Sequence, residues 1–226
     1  LQVSRLIVGD FSDRKRVQDF ERGFFNGLCR VRMEEFVLIG FRNFEDNSGT
    51  LFNCVGNVST IRLVGVGLEE ISQVPVWSQV KQLECKKCSF EDVPAVNLSI
   101  FKELRVLRIT KNKKLKNFKQ KFQGLSNLEV IDLSENSLTF SGCCSSRFQN
   151  CSNLKHLNLS FNSNIRLTGD FTNVQNLLYL DLQHTIIFGP GLYPVFPSLQ
   201  RLIYLDISHT KTEVKSQCMF CGLNSL

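Results

Sequence analysis

The chain has 226 residues, 21% of them charged, and a formal net charge of +6 at pH 7. That balance excludes an intrinsically disordered chain. No apolar run approaches the roughly 18 residues that a membrane-spanning helix needs.

The first residues, LQVSRLIVGDFSDRKR, contain an apolar stretch too short for a signal peptide and no basic leader before it. Any secretion or anchoring segment is therefore expected outside this sequence. The next elements repeat one another. In chain order they are SRLIVGDF (4–11), MEEFVLIGF (33–41), VSTIRLVGVGL (58–68), VKQLECKKCSF (80–90), LRVLRITKN (104–112), LEVIDLSENSL (128–138), LKHLNLSFNSNI (154–165), LLYLDLQHTII (177–187) and LIYLDISHT (202–210). The later copies fit L-x-x-L-x-L followed by a polar turn. The first apolar strand residue recurs at Leu6, Phe36, Ile61, Leu83, Leu107, Ile131, Leu157, Leu180 and Leu205, so copies lie 22 to 30 residues apart. This is the period of a leucine-rich repeat. It predicts an α/β solenoid: a horseshoe with a parallel concave β-sheet and an irregular, 3-10-rich convex side. Residues 1–226 are read as one solenoid of about nine repeats, irregular over 1–100, more regular over 101–226, and cut at both ends.

Strand residues alternate faces, so the two leucines of each L-x-L point into the core and the residue between them points out. The outward residues are, in order, Ile7, Val37, Arg62, Glu84, Arg108, Asp132, Asn158, Asp181 and Asp206. This row turns from apolar through mixed to acidic. Phe122, Phe148, Phe171, Phe196 and Phe220 are predicted to fill the convex side. Asparagine, which bonds neighbouring backbones where the chain turns, occurs after the strand at Asn112, Asn136 and Asn162. Phe11, Phe41, Val66, Cys88, Thr185 and Thr210 take that place elsewhere.

Nine cysteines and four N-x-[ST] sequons, at Asn57, Asn97, Asn150 and Asn158, favour an extracellular home. The odd count leaves at least one thiol free or bonded between chains. Cys143 and Cys144 are adjacent, closer along the chain than disulfide geometry usually allows. They are bonded elsewhere, reduced, or bonded to each other.

Catalytic chemistry finds little support. His184 and His209 share one repeat position beside Asp181 and Asp206, an arrangement that periodicity explains as solvent-facing polar residues. Cys85/Cys88 and Cys218/Cys221 form two C-x-x-C pairs about 130 residues apart, too far for one zinc site, and Cys85 takes an inward position. No nucleophile elbow, zinc-protease or phosphate-loop motif is present. No enzyme activity, metal or cofactor is expected. KNKKLKNFKQK (111–121) holds six lysines and accounts for the whole net charge. It reads either as a solvated loop or as a landing site for an anionic partner such as a phosphorylated lipid. The acidic concave row argues against nucleic acid.

GLCRVRMEEFVL (27–38), LFNCVGNVSTIRLV (51–64), LEVIDLSENSLTFSGCCS (128–145) and LIYLDISHT (202–210) together resemble the Toll-like receptors. The resemblance runs end to end through the middle of their ectodomain and is that of a divergent, non-mammalian vertebrate sequence. It implies a receptor ectodomain on the extracellular side of the membrane. There it binds the lipid-binding co-receptor myeloid differentiation protein 2, and bacterial lipopolysaccharide drives homodimerisation and inflammatory signalling. It implies a Cys29–Cys54 disulfide, a glycan at Asn57 and a bond between Cys143 and Cys144. Co-receptor and lipid contacts fall at Ser12, Lys87, Ser89, Lys113 and Ser141, with Arg14, Lys15, Lys86 and Lys114 nearby. A ligand-induced dimer contact falls at Thr139, Gly189, Leu192, Tyr193, Pro197 and Ser216. A co-receptor-binding modulator of the same branch, or an adhesion solenoid without a lipid ligand, are the alternatives.

Overall fold

A computed structural model describes residues 2–9, 27, 29–41, 55, 57–66, 77–88, 98, 101–116, 122, 125–139, 141–144, 148–149, 151–189, 196, 198–214 and 220–226. The strands are β1 (Gln2–Gly9), β2 (Arg32–Ile39), β3 (Thr60–Val64), β4 (Gln82–Lys86), β5 (Val106–Thr110), β6 (Val130–Asp132), β7 (Ser141–Cys144), β8 (His156–Asn158), β9 (Arg166–Asp170), β10 (Tyr179–Asp181), β11 (Ile186–Gly189), β12 (Tyr204–Asp206) and β13 (Lys211–Val214). Nine form one sheet in the order β1-β2-β3-β4-β5-β6-β8-β10-β12. All its pairings are parallel.

The register is the one the repeats predict. Leu6 pairs Phe36, and the series continues through Ile61, Leu83, Leu107, Ile131, Leu157 and Leu180 to Leu205. From Phe36 to Leu180 these side chains are buried, whereas Leu6 and Leu205, on the end strands, are only partly so. The outward row from Ile7 to Asp206 is likewise in register.

Phe101, Phe122, Phe148, Phe171 and Phe196 are buried on the convex side. Each starts a three-residue turn: the N–H of Leu125 reaches the Phe122 carbonyl and that of Leu128 reaches Leu125. Phe148–Cys151–Leu154 and Phe171–Val174–Leu177 repeat the arrangement. Rings of adjacent coils touch, Phe122 on Phe148 at 5.3 Å and Phe171 on Phe196 at 5.8 Å between centroids. Phe220 departs from expectation. It is 51% exposed.

Two features go beyond the sequence reading. Strands β7, β9, β11 and β13 form a second parallel sheet, each following a main-sheet strand through the polar turn. Cys143 and Cys144 lie on its edge strand β7, where the register shifts on both sides of Cys143. A second asparagine column also joins the coils: Nδ2 of Asn127, Asn153 and Asn176 donates to the carbonyls of Lys102, Ser126 and Ser152.

Candidate functional site

From Phe36 to Leu205, the residue four places after each leading apolar strand residue has a left-handed backbone. Gly40 and Gly65 fill this position in two coils, at φ of 88° and 64°. Lys87, Lys111, Glu135, Phe161, His184 and His209 fill it in the next six, at φ between 53° and 61°. From Gly40 to His184 each of these N–H groups reaches a carbonyl of the following coil, Lys87 to Thr110 at 3.0 Å and Phe161 to Gln183 at 2.8 Å, while the chain turns out of the sheet. Glycine adopts this conformation freely. A larger residue there costs on the order of 1–2 kcal/mol.

Six long side chains are therefore strung along one edge of the sheet. Lys111 Nζ lies 3.1 Å from Glu135 Oε1. Phe161, 46% exposed, stacks on His184 at 4.6 Å, and His184 stacks on His209 at 4.7 Å. Next to Phe161 opens a hollow of about 770 Å³, lined chiefly by Lys87, Lys111, Lys113, Lys114 and Glu135. Among the described residues no carboxylate lies within ion-pair distance of Lys86, Lys87 or Lys113. The edge thus carries surplus positive charge beside an exposed aromatic ring, which suits a ligand with both anionic and apolar parts.

Of the expected contact residues, Lys87, Lys113 and Lys114 share this hollow, and Lys86 ends β4 just outside it. Lys111, missed as a site residue, also lines it. Its place in the repeat, equivalent to Lys87, was the available signal. Thr139 is exposed and bonds the Lys116 carbonyl through its N–H and hydroxyl, at 2.9 and 3.1 Å. Gly189 closes β11 and Ser141 opens β7. Ser12, Arg14, Lys15, Ser89, Leu192, Tyr193, Pro197 and Ser216 lie outside the described residues, as do Cys54, Asn97 and Asn150.

Asn57 is exposed in a turn, and Asn158 is half-buried on the concave face. Cys29 and Cys221 are each in a disulfide. Cys85, Cys88 and Cys151 are free and buried. A hydrogen bond with Cys88, together with burial, holds the Cys85 thiol far above its ordinary pKa, and burial pushes Cys151 up to about 12. These thiols are core groups. Cys88 occupies the turn-asparagine position, with Sγ 3.6 Å from the Leu63 carbonyl of the preceding coil. Among the described residues no group of histidine, cysteine and carboxylate side chains is placed to hold a metal ion.

Repeat, register and turn define a leucine-rich-repeat solenoid with a concave parallel sheet and a charged edge. A family model, Leucine Rich Repeat, matches residues 127–151. Along its whole length the chain is similar to Toll-like receptor 4: 37% identical to that of Bos taurus over 226 residues and 38% to that of Pongo pygmaeus. The chain spans about a quarter of these relatives, 26% and 27% of their lengths. Among solved structures, mouse RP105 in its complex with MD-1 superposes with a TM-score of 0.78 at 30% identity, covering 90% of this chain and 34% of that one. The TLR13–ssRNA13 complex, at 21% identity and a TM-score of 0.60 over 84% of this chain and 31% of that one, shares the fold.

Proposed function

We propose that this chain is the central part of an innate-immune receptor ectodomain, displayed on the extracellular side of the membrane. Its function is binding rather than catalysis. In this reading the lysine edge receives a lipid-binding co-receptor of the myeloid differentiation protein 2 kind. Lys87 and Lys113, with Lys86, Lys111 and Lys114, face the phosphates of lipopolysaccharide or a similar anionic lipid carried by that co-receptor. Ser12, Arg14, Lys15, Ser89 and Ser141 extend the contact. Ligand then draws two receptors together through Thr139, Gly189, Leu192, Tyr193, Pro197 and Ser216. Cys29–Cys54 and Cys143–Cys144 are the proposed disulfides, and the exposed Asn57 is the leading glycan site.

The observation that carries this reading is the surplus lysine charge beside Phe161 in a chain similar to Toll-like receptor 4 throughout. The likeness to mouse RP105 in complex with MD-1 supports a co-receptor of that kind, and favours as second reading a modulator that binds such a co-receptor without transmitting a signal.

The test is co-purification of the complete ectodomain with the co-receptor, with and without lipopolysaccharide. Reversing Lys87 and Lys113 to Glu is expected to weaken the lipid-dependent complex by about tenfold or more, since each reversal turns an attraction into a repulsion. Failure to form a complex, or a complex indifferent to both reversals, rejects the lipid site.

A further inference from the structure

At the other end of the main sheet lies a surface that the lysine edge leaves unused. One outward column, in register across β6, β8, β10 and β12, reads Val130, His156, Tyr179 and Tyr204. Beside it runs Asp132, Asn158, Asp181 and Asp206. The rings of Tyr179 and Tyr204 are parallel within 3° and 4.2 Å apart. Tyr204 is 41% exposed, and its neighbour Ile203 is 64% exposed.

Charge on this sheet is handled differently at its two ends. Toward β1, Arg62 Nε lies 2.9 Å from Glu35 Oε1, an ionic contact without hydrogen-bond alignment, and 3.3 Å from Glu84. Arg108 donates to Glu84 at 2.8 Å. Toward β12, among the described residues no cation lies within ion-pair distance of Asp132, Asp181 or Asp206.

These carboxylates do have a local duty. Oδ1 of Asp132, Asp181 and Asp206 accepts the N–H two residues on, from Ser134, Gln183 and Ser208, at 2.8 to 3.0 Å. Asn158 does the same for Ser160 at 2.9 Å. The turn therefore needs an oxygen acceptor, not a charge. Three negative charges are surplus to folding, and they repel one another: burial and the nearby Asp206 and Asp132 raise the pKa of Asp181.

We infer that the concave face over β10 and β12 docks a cationic protein segment in extended form, its arginines stacked on Tyr179 and Tyr204 and paired with Asp181 and Asp206, its apolar side chains over Ile203. Arginine combines a planar, weakly hydrated cation that stacks on aromatic rings with donors matched to carboxylates. Stacked tyrosines flanked by uncompensated aspartates supply both halves of that recognition. The site is independent of the lysine edge, whose charge is opposite.

The probe is a short peptide alternating arginine and leucine, titrated into the complete ectodomain carrying Ser160→Ala, which keeps the Asn158 turn acceptor but removes its sequon, so that no glycan stands over the neighbouring strand. Saturable binding that weakens with added salt is expected. Combined Asp132→Asn, Asp181→Asn and Asp206→Asn, made with Ser134→Ala and Ser208→Ala so that no new glycosylation sequon arises, should weaken it by about tenfold or more, and Tyr204→Ala by several-fold. The asparagines keep the turn acceptor, as Asn158 already does, so the fold survives the test. Lys87→Glu with Lys113→Glu should leave this binding intact, which separates it from the lipid site. No binding, equal binding of a glutamate–leucine peptide, or binding untouched by the three asparagines overturns the inference.

Discussion

At Asp181 one carboxylate oxygen anchors a turn while the charge it carries faces two further aspartates across the sheet. Its neighbours across the sheet are Asp132, Asn158 and Asp206, with His156, Tyr179 and Tyr204 in the adjoining column. Burial is the largest cause of its raised pKa, offset in part by the Gln183 N–H, and the two aspartates push it further up. Asp206 goes the other way, held below its ordinary value by hydrogen bonds from the Ser208 hydroxyl and N–H. The linkage sign follows. A carboxyl raised on folding binds a proton more readily in the folded chain, so ionising it costs stability at neutral pH, and the cost fades as pH falls through the folded pKa toward the unfolded one. Asp181→Asn, which keeps the turn acceptor, should therefore raise the melting temperature at pH 7 by about 1 °C. The gain should shrink as pH falls and vanish toward about pH 3, below the unfolded carboxyl's pKa of about 3.9. A gain equal at both pH values would mean that charge is not its source. Tyr179, pushed up to about 12 mainly by burial, is neutral over this whole range.

At the scale of the coil, the turn asparagines set how firmly one repeat grips the next. Asn136 Nδ2 donates to the carbonyls of Ile109 and Leu133, both at 2.7 Å, and its Oδ1 accepts the Asn112 N–H at 2.8 Å. The Thr185 and Thr210 hydroxyls, in the equivalent place, donate to the Leu182 and Ile207 carbonyls of their own coil, at 2.6 and 2.8 Å. Asn136→Ala removes the side-chain partner of the Ile109 carbonyl and the Asn112 N–H, at on the order of 1–3 kcal/mol each before relaxation and water entry, while the Leu133 carbonyl keeps Asn162 Nδ2 at 2.9 Å. A loss of about 3 kcal/mol in a denaturant titration is expected; a loss below about 1 kcal/mol would show that the column is ornamental. These asparagines, the leucine register and the acidic column were legible in the sequence because each is fixed by a residue type recurring at one period. The left-handed row was not. Gly40 and Gly65 mark it, but Lys87, Glu135 and Phe161 share no chemistry, since the conformation belongs to the place where each coil turns out of the sheet. The second sheet was hidden for the same reason: SGCC, RLTGD, IIFG and KTEV have no common pattern, and pairing comes from how the coils stack. At the candidate site the lysine run was visible. That Glu135 engages Lys111 depends on a register between coils 24 residues apart.

Over the whole molecule, stability is a chain of neighbour contacts rather than one shared core. Each strand of the main sheet hydrogen-bonds only to the strands beside it. The phenylalanine contacts and both asparagine columns likewise join adjacent coils. Such an array opens locally, in units of a coil and its neighbours. Leu157 sits fully buried on β8, between the lysine-bearing coils of β4 and β5 and the acidic face on β10 and β12. Leu157→Ala removes a buried side chain at a cost of about 2–5 kcal/mol. Hydrogen exchange in the complete ectodomain should then quicken in β6, β8 and β10 while β2 and β3 keep their protection. Uniform acceleration across all strands would reject the neighbour-coupled picture in favour of global opening. The consequence reaches function. With coupling this short-ranged, the lysine edge over β4 and β5 keeps its geometry when the acidic face loosens, so Leu157→Ala should impair the arginine peptide more than the lipid-loaded co-receptor.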